Sequence, residues 1–297
     1  MINYVSFPGL FDKVFKLDPV AFEIGSLSVR WYGVIICLGF LLAGAYALRR
    51  CKTFGVTADD ITDFALFLLP SVIIGARLYY VFSSWDYYSK NPSQIIKIWE
   101  GGLAIYGGII AGVIVAVIFS KVKRIDFLGL GDVAVICLLI GQMIGRWGNF
   151  MNVEAFGDVT TLVWRMCSPA VADYLIDEGL ITMVQYNEII NGTLGVHPTF
   201  LYESLWNFAG FIALHFYSYR RRFKGELILL YFGWYGLGRA WIEGLRTDSL
   251  HLGHTDIRIS QLLAVISFVF CVGALLYLYI GKRYKKIKWL ELNKTKK

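Results

Sequence analysis

The stretch VAVICLLIGQMIGRWGNFMNVEAFG, residues 133–157, holds two kinds of sequence joined without a break. Its first half is an apolar run suited to lipid. Its second half brings in Arg146, Asn149, Asn152 and Glu154 with the glycines Gly145, Gly148 and Gly157. Apolar runs of about 20 residues are what a bilayer core requires of a helix. Six further runs accompany this one (Val133–Met151): Trp31–Leu48, Ile61–Phe82, Leu103–Ser120, Phe200–Tyr219, Leu227–Trp241 and Ile259–Ile280. The chain of 297 residues is 57% hydrophobic and 17% charged, with a mean hydropathy of +0.56, too apolar for an ordinary soluble domain. Backbone polar groups in lipid must be satisfied within the segment, and the alternation of a barrel strand is absent, so these runs are predicted to be helices. The expected fold is an all-α polytopic membrane protein of seven transmembrane helices, with an outer-face insertion over residues 153–196 between the fourth and fifth.

Short loops rich in Lys and Arg mark the cytoplasmic side. The first, third and fifth connections carry Arg49, Arg50 and Lys52, then Lys121, Lys123 and Arg124, then Arg220, Arg221, Arg222 and Lys224, and the tail KRYKKIK adds five more. Residues 153–196 carry only Arg165. This pattern puts the N-terminus outside and the C-terminus in the cytoplasm. The net charge of +7 is then a topology signal rather than a nucleic-acid footprint. The opening residues show no basic start before an apolar block, so no cleavable signal peptide is expected. With 6 prolines, no Pro/Ser linker and no evident repeat, a single transmembrane domain over 1–297 is the simplest organisation. The insertion mixes polar and apolar residues in the manner of a small helical cap.

Five scattered cysteines without a CxxC pair suggest neither a disulfide framework nor a metal site. The HLGH of His251 and His254 reads as loop. Asp63 and Asp132 stand near helix starts, where a carboxylate suits the positive dipole end. Charged groups deep in spans are costly and usually face the bundle interior, which makes each one a functional candidate. Arg146, Asn149 and Asn152 share a helix face by their spacing. A simple interfacial anchor would need a snorkelling arginine but not two amides, a carboxylate and spaced glycines, although a satisfied structural network would use them too. In GLGRAWIEGLR, Arg239, Glu243 and Arg246 fall at i, i+4 and i+7 on one stripe. Arg239 and Glu243 can neutralise each other, and Arg246 leaves a surplus positive charge. Two arginine-bearing helix ends on one side of the membrane point to an anion, and the planar guanidinium fork suits a phosphate. GGLAIYGG places Tyr106 between glycine pairs, and HPTFLYE adds polar groups at the same level.

These ordered motifs (VRWYG, GARLYYV, GGLAIYGG, GRWGNFMNVEAFG, HPTFLYE and GLGRAWIEGLR) resemble those of the prolipoprotein diacylglyceryl transferases, bacterial enzymes of seven transmembrane helices. The resemblance implies transfer of the diacylglyceryl group from phosphatidylglycerol to the lipobox cysteine thiol of preprolipoproteins, the first step of bacterial lipoprotein maturation. A thioether forms and glycerol phosphate is released. It implies as partners phosphatidylglycerol, signal peptides with a lipobox cysteine and membrane lipids, with no nucleic acid, cofactor or metal, in the bacterial cytoplasmic membrane. Against that chemistry, Arg239, Tyr106 and Glu243 are the catalytic candidates. Arg146, Asn149, Asn152, Glu154, Arg246 and Gly148 are the candidates for binding phosphatidylglycerol. Glu154 and Glu243 are expected to orient arginines. Many family members carry histidine where this chain has Tyr106. Two rival classes are an anion transporter, which should carry polar residues in mid-span and broken helices, and a non-catalytic lipid-binding scaffold.

Overall fold

The computed structural model describes residues 2–25, 27–246, 258–281, 284 and 286. The HLGH pair and most of the basic tail lie outside the described residues. In chain order the elements are β1 (Asn3–Phe7), β2 (Phe11–Leu17), β3 (Val20–Ile24), β4 (Leu27–Arg30), α1 (Trp31–Phe54), α2 (Ala58–Ser83), the single turn α3 (Trp85–Tyr88), α4 (Ile105–Lys123) and α5 (Phe127–Asn152). There follow β5 (Val159–Thr160), α6 (Pro169–Asp177), α7 (Met183–Asn191), β6 (Gly195–Val196), α8 (Thr199–Tyr217), α9 (Glu226–Ile242) and α10 (Ile259–Gly281).

Every predicted span falls on a helix. Among the described residues α1, α2, α4, α5 and α10, of 19 to 26 residues, are long and apolar enough to cross a membrane. The other two predicted spans are α8, which carries Glu203 and Asn207, and α9, which has 17 residues. The first 30 residues hold a feature that the sequence reading did not anticipate: two antiparallel hairpins, β1–β2 and β3–β4, precede α1. The chain packs as two compact units, residues 1–43 with 135–286, and residues 44–134.

In the second unit α2 and α4 meet through small residues. A Cβ added at Gly107 would lie 2.2 Å from the Gly75 carbonyl oxygen, so the backbones touch as they do where lipid offers helices no hydrophobic drive to associate. Thr57 and Asp60 form a reciprocal capping box at the start of α2. Asp63, one turn further on, forms an ion pair with Lys123 of α4 at 2.6 Å. Arg77, nearly buried, spends its guanidinium on backbone alone. Its Nε donates to the Ile95 carbonyl at 2.8 Å, one Nη to Gly101 at 2.7 Å and Gly102 at 2.9 Å, and the other to Gln94 at 2.6 Å and Lys97 at 3.5 Å. The Tyr88 ring lies 5.2 Å from the guanidinium carbon. These contacts pin residues 94–102, which lead into α4.

In the first unit β1 and residues 153–196 share one hydrophobic core. Val5, Phe7 and Leu17 pack with Val153, Phe156, Met166, Cys167, Val171, Leu175, Ile189 and Val196. Ser6 and Cys167 exchange backbone hydrogen bonds of 2.9 Å in both directions. Helices α8 and α9 are interlocked. The Trp206 and Trp234 rings stack at 4.4 Å, and each indole N–H donates to the other residue's carbonyl at 3.0 Å. Each ring lies over a glycine of the opposing helix: a Cβ at Gly238 would come within 2.1 Å of Trp206 Nε1, and one at Gly210 within 2.4 Å of Trp234 Nε1.

Candidate active site

The site is assembled where α5 ends. Val153 and Ala155 both adopt left-handed backbone conformations (φ 57° and 53°), a costly choice for a β-branched valine. They turn the chain sharply, so that Glu154 folds back and its N–H donates to the Asn149 carbonyl at 2.9 Å. The Thr199 hydroxyl donates to the Ala155 carbonyl and fixes the turn against the start of α8. Gly157 then threads between two other segments. Its N–H donates to the His197 carbonyl at 2.8 Å, and a Cβ there would come within 2.6 Å of the Leu245 carbonyl oxygen. Asp158 N–H donates to that same Leu245 carbonyl at 2.7 Å. One glycine thus joins the end of α5, the start of α8 and the end of α9. Burial holds the His197 imidazole below its ordinary pKa, against the opposing charge of Asp158.

Around this junction three guanidinium groups converge on one carboxylate. Glu203 of α8 lies 2.6 Å from Arg146 through Oε2, and 3.0 Å from Arg239 and 3.8 Å from Arg246 through Oε1. Arg239 also pairs with Glu243 at 2.6 Å, as the i, i+4 spacing predicted. Arg258 donates to the Glu243 carbonyl, and Gln261 to that of Ala240 at 2.7 Å, which ties α10 to the end of α9. The Glu203 and Glu243 side chains are only 5% and 3% exposed, whereas Arg146, Arg239 and Arg246 keep 23%, 17% and 14%. The anionic groups are covered and the cationic groups remain reachable. A cavity lined by Glu203, Trp206, Asn207, Tyr235, Gly238 and Arg239 adjoins them.

The amides form a second layer. Arg146 reaches the Asn149 side-chain oxygen at 3.4 Å. Glu154 accepts from the Asn152 amide at 2.9 Å and from the Asn149 amide at 3.4 Å. This corrects one expectation. Glu154 holds amides rather than an arginine, because the left-handed turn folds it over the last turn of α5. At Gly148, a lipid-binding candidate, the close neighbour is the Tyr32 ring of α1, whose Cδ2 would stand 2.8 Å from a Cβ there. Tyr106 belongs to the second unit, where it stands in the first turn of α4, half exposed, with its ring 6.5 Å from that of Tyr79.

Sequence reasoning passed over Glu203, the residue on which the arginines converge. The signal was present, since a carboxylate inside an aromatic helix is a functional candidate by default. Three arginines on two other helix ends also demand a counter-charge. Arg258 was likewise not singled out.

A family model described as prolipoprotein diacylglyceryl transferase matches residues 19–278. Among curated relatives, the phosphatidylglycerol–prolipoprotein diacylglyceryl transferase of Limosilactobacillus reuteri (strain DSM 20016) is 45% identical over 275 residues, covering 92% of this chain and 94% of its own. The protein of the same name from Listeria monocytogenes serotype 4b is 45% identical over 266 residues, covering 90% and 91%. That of Bacillus licheniformis is 41% identical over 283 residues, covering 95% and 98%. A match of this extent, carried through all the segments that meet at Gly157, places the chain in the prolipoprotein diacylglyceryl transferase family.

Proposed function

We propose that this chain transfers the diacylglyceryl group of phosphatidylglycerol to the lipobox cysteine thiol of preprolipoproteins, at the outer face of a bacterial cytoplasmic membrane. The observation that carries the reading is the convergence of Arg146, Arg239 and Arg246 on the single carboxylate of Glu203. The four guanidiniums of Arg146, Arg239, Arg246 and Arg258 against the three carboxylates of Glu154, Glu203 and Glu243 leave one positive charge, which suits a phosphodiester monoanion. The substrate sulfur attacks the glycerol carbon, a carbon–sulfur bond forms, and the carbon–oxygen bond to phosphate breaks with its electron pair on oxygen. Glycerol phosphate leaves with growing negative charge, and the thiol proton passes to a base or to solvent. Donors aimed at that charge lower the barrier, and each is worth about 10²–10³ in rate.

In this scheme Arg146 holds the lipid phosphate and Arg239 stabilises the departing one, with Glu243 fixing the Arg239 fork and Arg246 adding positive charge. Asn149 and Asn152, held by Glu154, orient glycerol or phosphate oxygens. Gly148 shapes the lipid-binding face of α5 by seating Tyr32. Tyr106 orients substrate or relays a proton, an assignment supported by its GGLAIYGG motif. The chain acts as one transmembrane domain of seven spans, α8 and α9 included, with residues 153–196 as the outer insertion, the N-terminus outside and the C-terminus in the cytoplasm. The distribution of Lys and Arg among the loops supports that orientation.

The deciding assay incubates purified protein with phosphatidylglycerol and a lipobox peptide. Release of glycerol phosphate together with a peptide heavier by one diacylglyceryl group is expected. Lipid binding without release would reduce the protein to a binding scaffold.

A further inference from the structure

The two N-terminal hairpins are both antiparallel pairs but have different surroundings. In β1–β2 the inward face has protein against it, and Val5, Phe7 and Leu17 are buried in the core shared with residues 153–196. Among the described residues, the β3 and β4 strands pair only with each other. Phe22 stands opposite Val29 and Ile24 follows two residues on, so Phe22, Ile24 and Val29 share one face. Glu23 and Ser28 pair on the other, joined by a side-chain hydrogen bond of 3.4 Å. Phe22 and Ile24 are 51% and 64% exposed. A lone two-stranded hairpin is marginal in water, and one with an exposed apolar face is more so.

The hairpin's connection to α1 identifies what covers that face. β4 ends at Arg30 and α1 begins at Trp31 with no linker. Trp31 N–H also donates to the Pro19 carbonyl at 2.9 Å, so both ends of the hairpin are fixed to the first residue of the helix. α1 is long and apolar enough to span a membrane, and its first two residues, Trp31 and Tyr32, are exposed aromatics of the kind that settle at headgroup level. Four residues of β4, at about 3.3 Å each, hold the hairpin tip within about 13 Å of that level. The apolar face therefore lies within a few residues of the point where α1 enters the bilayer.

We propose that the β3–β4 hairpin is an interfacial membrane anchor, with Phe22 and Ile24 in the headgroup–acyl boundary of the leaflet that α1 enters and Glu23 facing water. It would set the depth of α1 in the bilayer. The inference requires only that α1 spans, and it stands whether or not the chain is a transferase.

The test is spin labelling of Phe22→Cys, Glu23→Cys and Ile24→Cys, one at a time, in full-length protein reconstituted in phosphatidylglycerol–phosphatidylcholine vesicles. Cys37 and Cys137 are replaced by serine. All three target positions are exposed, so the substitutions leave the core intact. Accessibility should alternate: labels at 22 and 24 relax faster with oxygen than with a water-soluble nickel chelate, and the label at 23 shows the reverse. Aqueous behaviour at all three positions would overturn the proposal. So would labels at 22 and 24 that are immobile and shielded from both reagents, because another protein surface would then cover the face.

Discussion

Arg77 and Arg146 are both arginines on predominantly apolar helices, yet their guanidinium groups are used in opposite ways. All five N–H groups of Arg77 are committed to backbone carbonyls of one loop, with a tyrosine ring alongside. Arg146 shares a carboxylate with Arg239 and Arg246, and part of its side chain remains accessible. A cation saturated by carbonyls has no donor left for a ligand, so Arg77 can only hold structure. A cation paired through one carboxylate oxygen keeps donors to offer, and a phosphate can compete for it. Position in an apolar helix marks a costly residue, and the partners decide whether the cost serves the fold or the substrate.

The contrast would be broken most directly at Arg146 and Arg239. Alanine at either should lower glycerol phosphate release by about 10²–10³ or more, with membrane insertion intact. Arg146→Lys should rescue poorly, because a point charge cannot reproduce the fork. Near-normal release by an alanine variant would make that arginine a helix anchor, like Arg77. Arg77→Lys should do the opposite. It gives up at least two charge-assisted bonds worth about 1.5–3 kcal/mol each, so thermal stability and protein yield should fall. Transfer per folded molecule should change far less than in the Arg146 variants. Thermal stability and membrane-inserted yield equal to wild type would show that the carbonyl cage is dispensable.

Smaller effects sharpen the same contrast. Tyr106→Phe keeps the ring and removes only the oxygen, and should slow transfer by about tenfold, less than the ~10²–10⁴ that an obligatory proton-transfer group supplies. Complete loss with normal folding would make the phenol essential, and an unchanged rate would make Tyr106 a packing residue. The smallest effect belongs to His197. Its folded pKa lies below the unfolded value because burial disfavours the cation, so the unfolded chain binds the extra proton more readily. Stability is therefore full above about 6.5 and declines as pH falls from there towards the folded pKa. His197→Gln should flatten that dependence in a thermal scan between pH 5 and 7.

An orientation test gains from the structure as well. Cys167 is buried, its thiol donates to the Leu194 carbonyl at 3.1 Å, and burial pushes its pKa up to about 11. It should stay silent towards an impermeant thiol reagent, so a cysteine placed at exposed Met183 can be read directly from outside intact cells. A cysteine at exposed Lys224 should be protected. The reverse pattern would move the site to the other leaflet.

Much of the fold was legible because lipid imposes long apolar runs, and even the aromatic-rich α8 and α9 showed through. The N-terminal strands did not. Their turn signals (Pro8-Gly9 and Gly25) are short, and strand pairing is decided by residues outside the local window. In the site, Arg146, Arg239, Glu243 and Arg246 stood out as charges among apolar neighbours, and one pair could be read from helical spacing. Glu203 could not be assigned in that way, because all its partners lie on other elements. The fold of Glu154 onto the Asn149 and Asn152 amides depends on two left-handed residues, Val153 and Ala155, whose side chains give no sign of it.

The reciprocal seating of Trp206 over Gly238 and Trp234 over Gly210 has a consequence for how such chains can vary. Replacing either tryptophan leaves a backbone carbonyl without its indole donor and a glycine uncovered, and neither glycine can grow without evicting a ring. The four positions therefore behave as one heritable unit. Drift at any one of them is blocked unless its counterpart changes in the same lineage, so among related chains the four should be retained together or lost together.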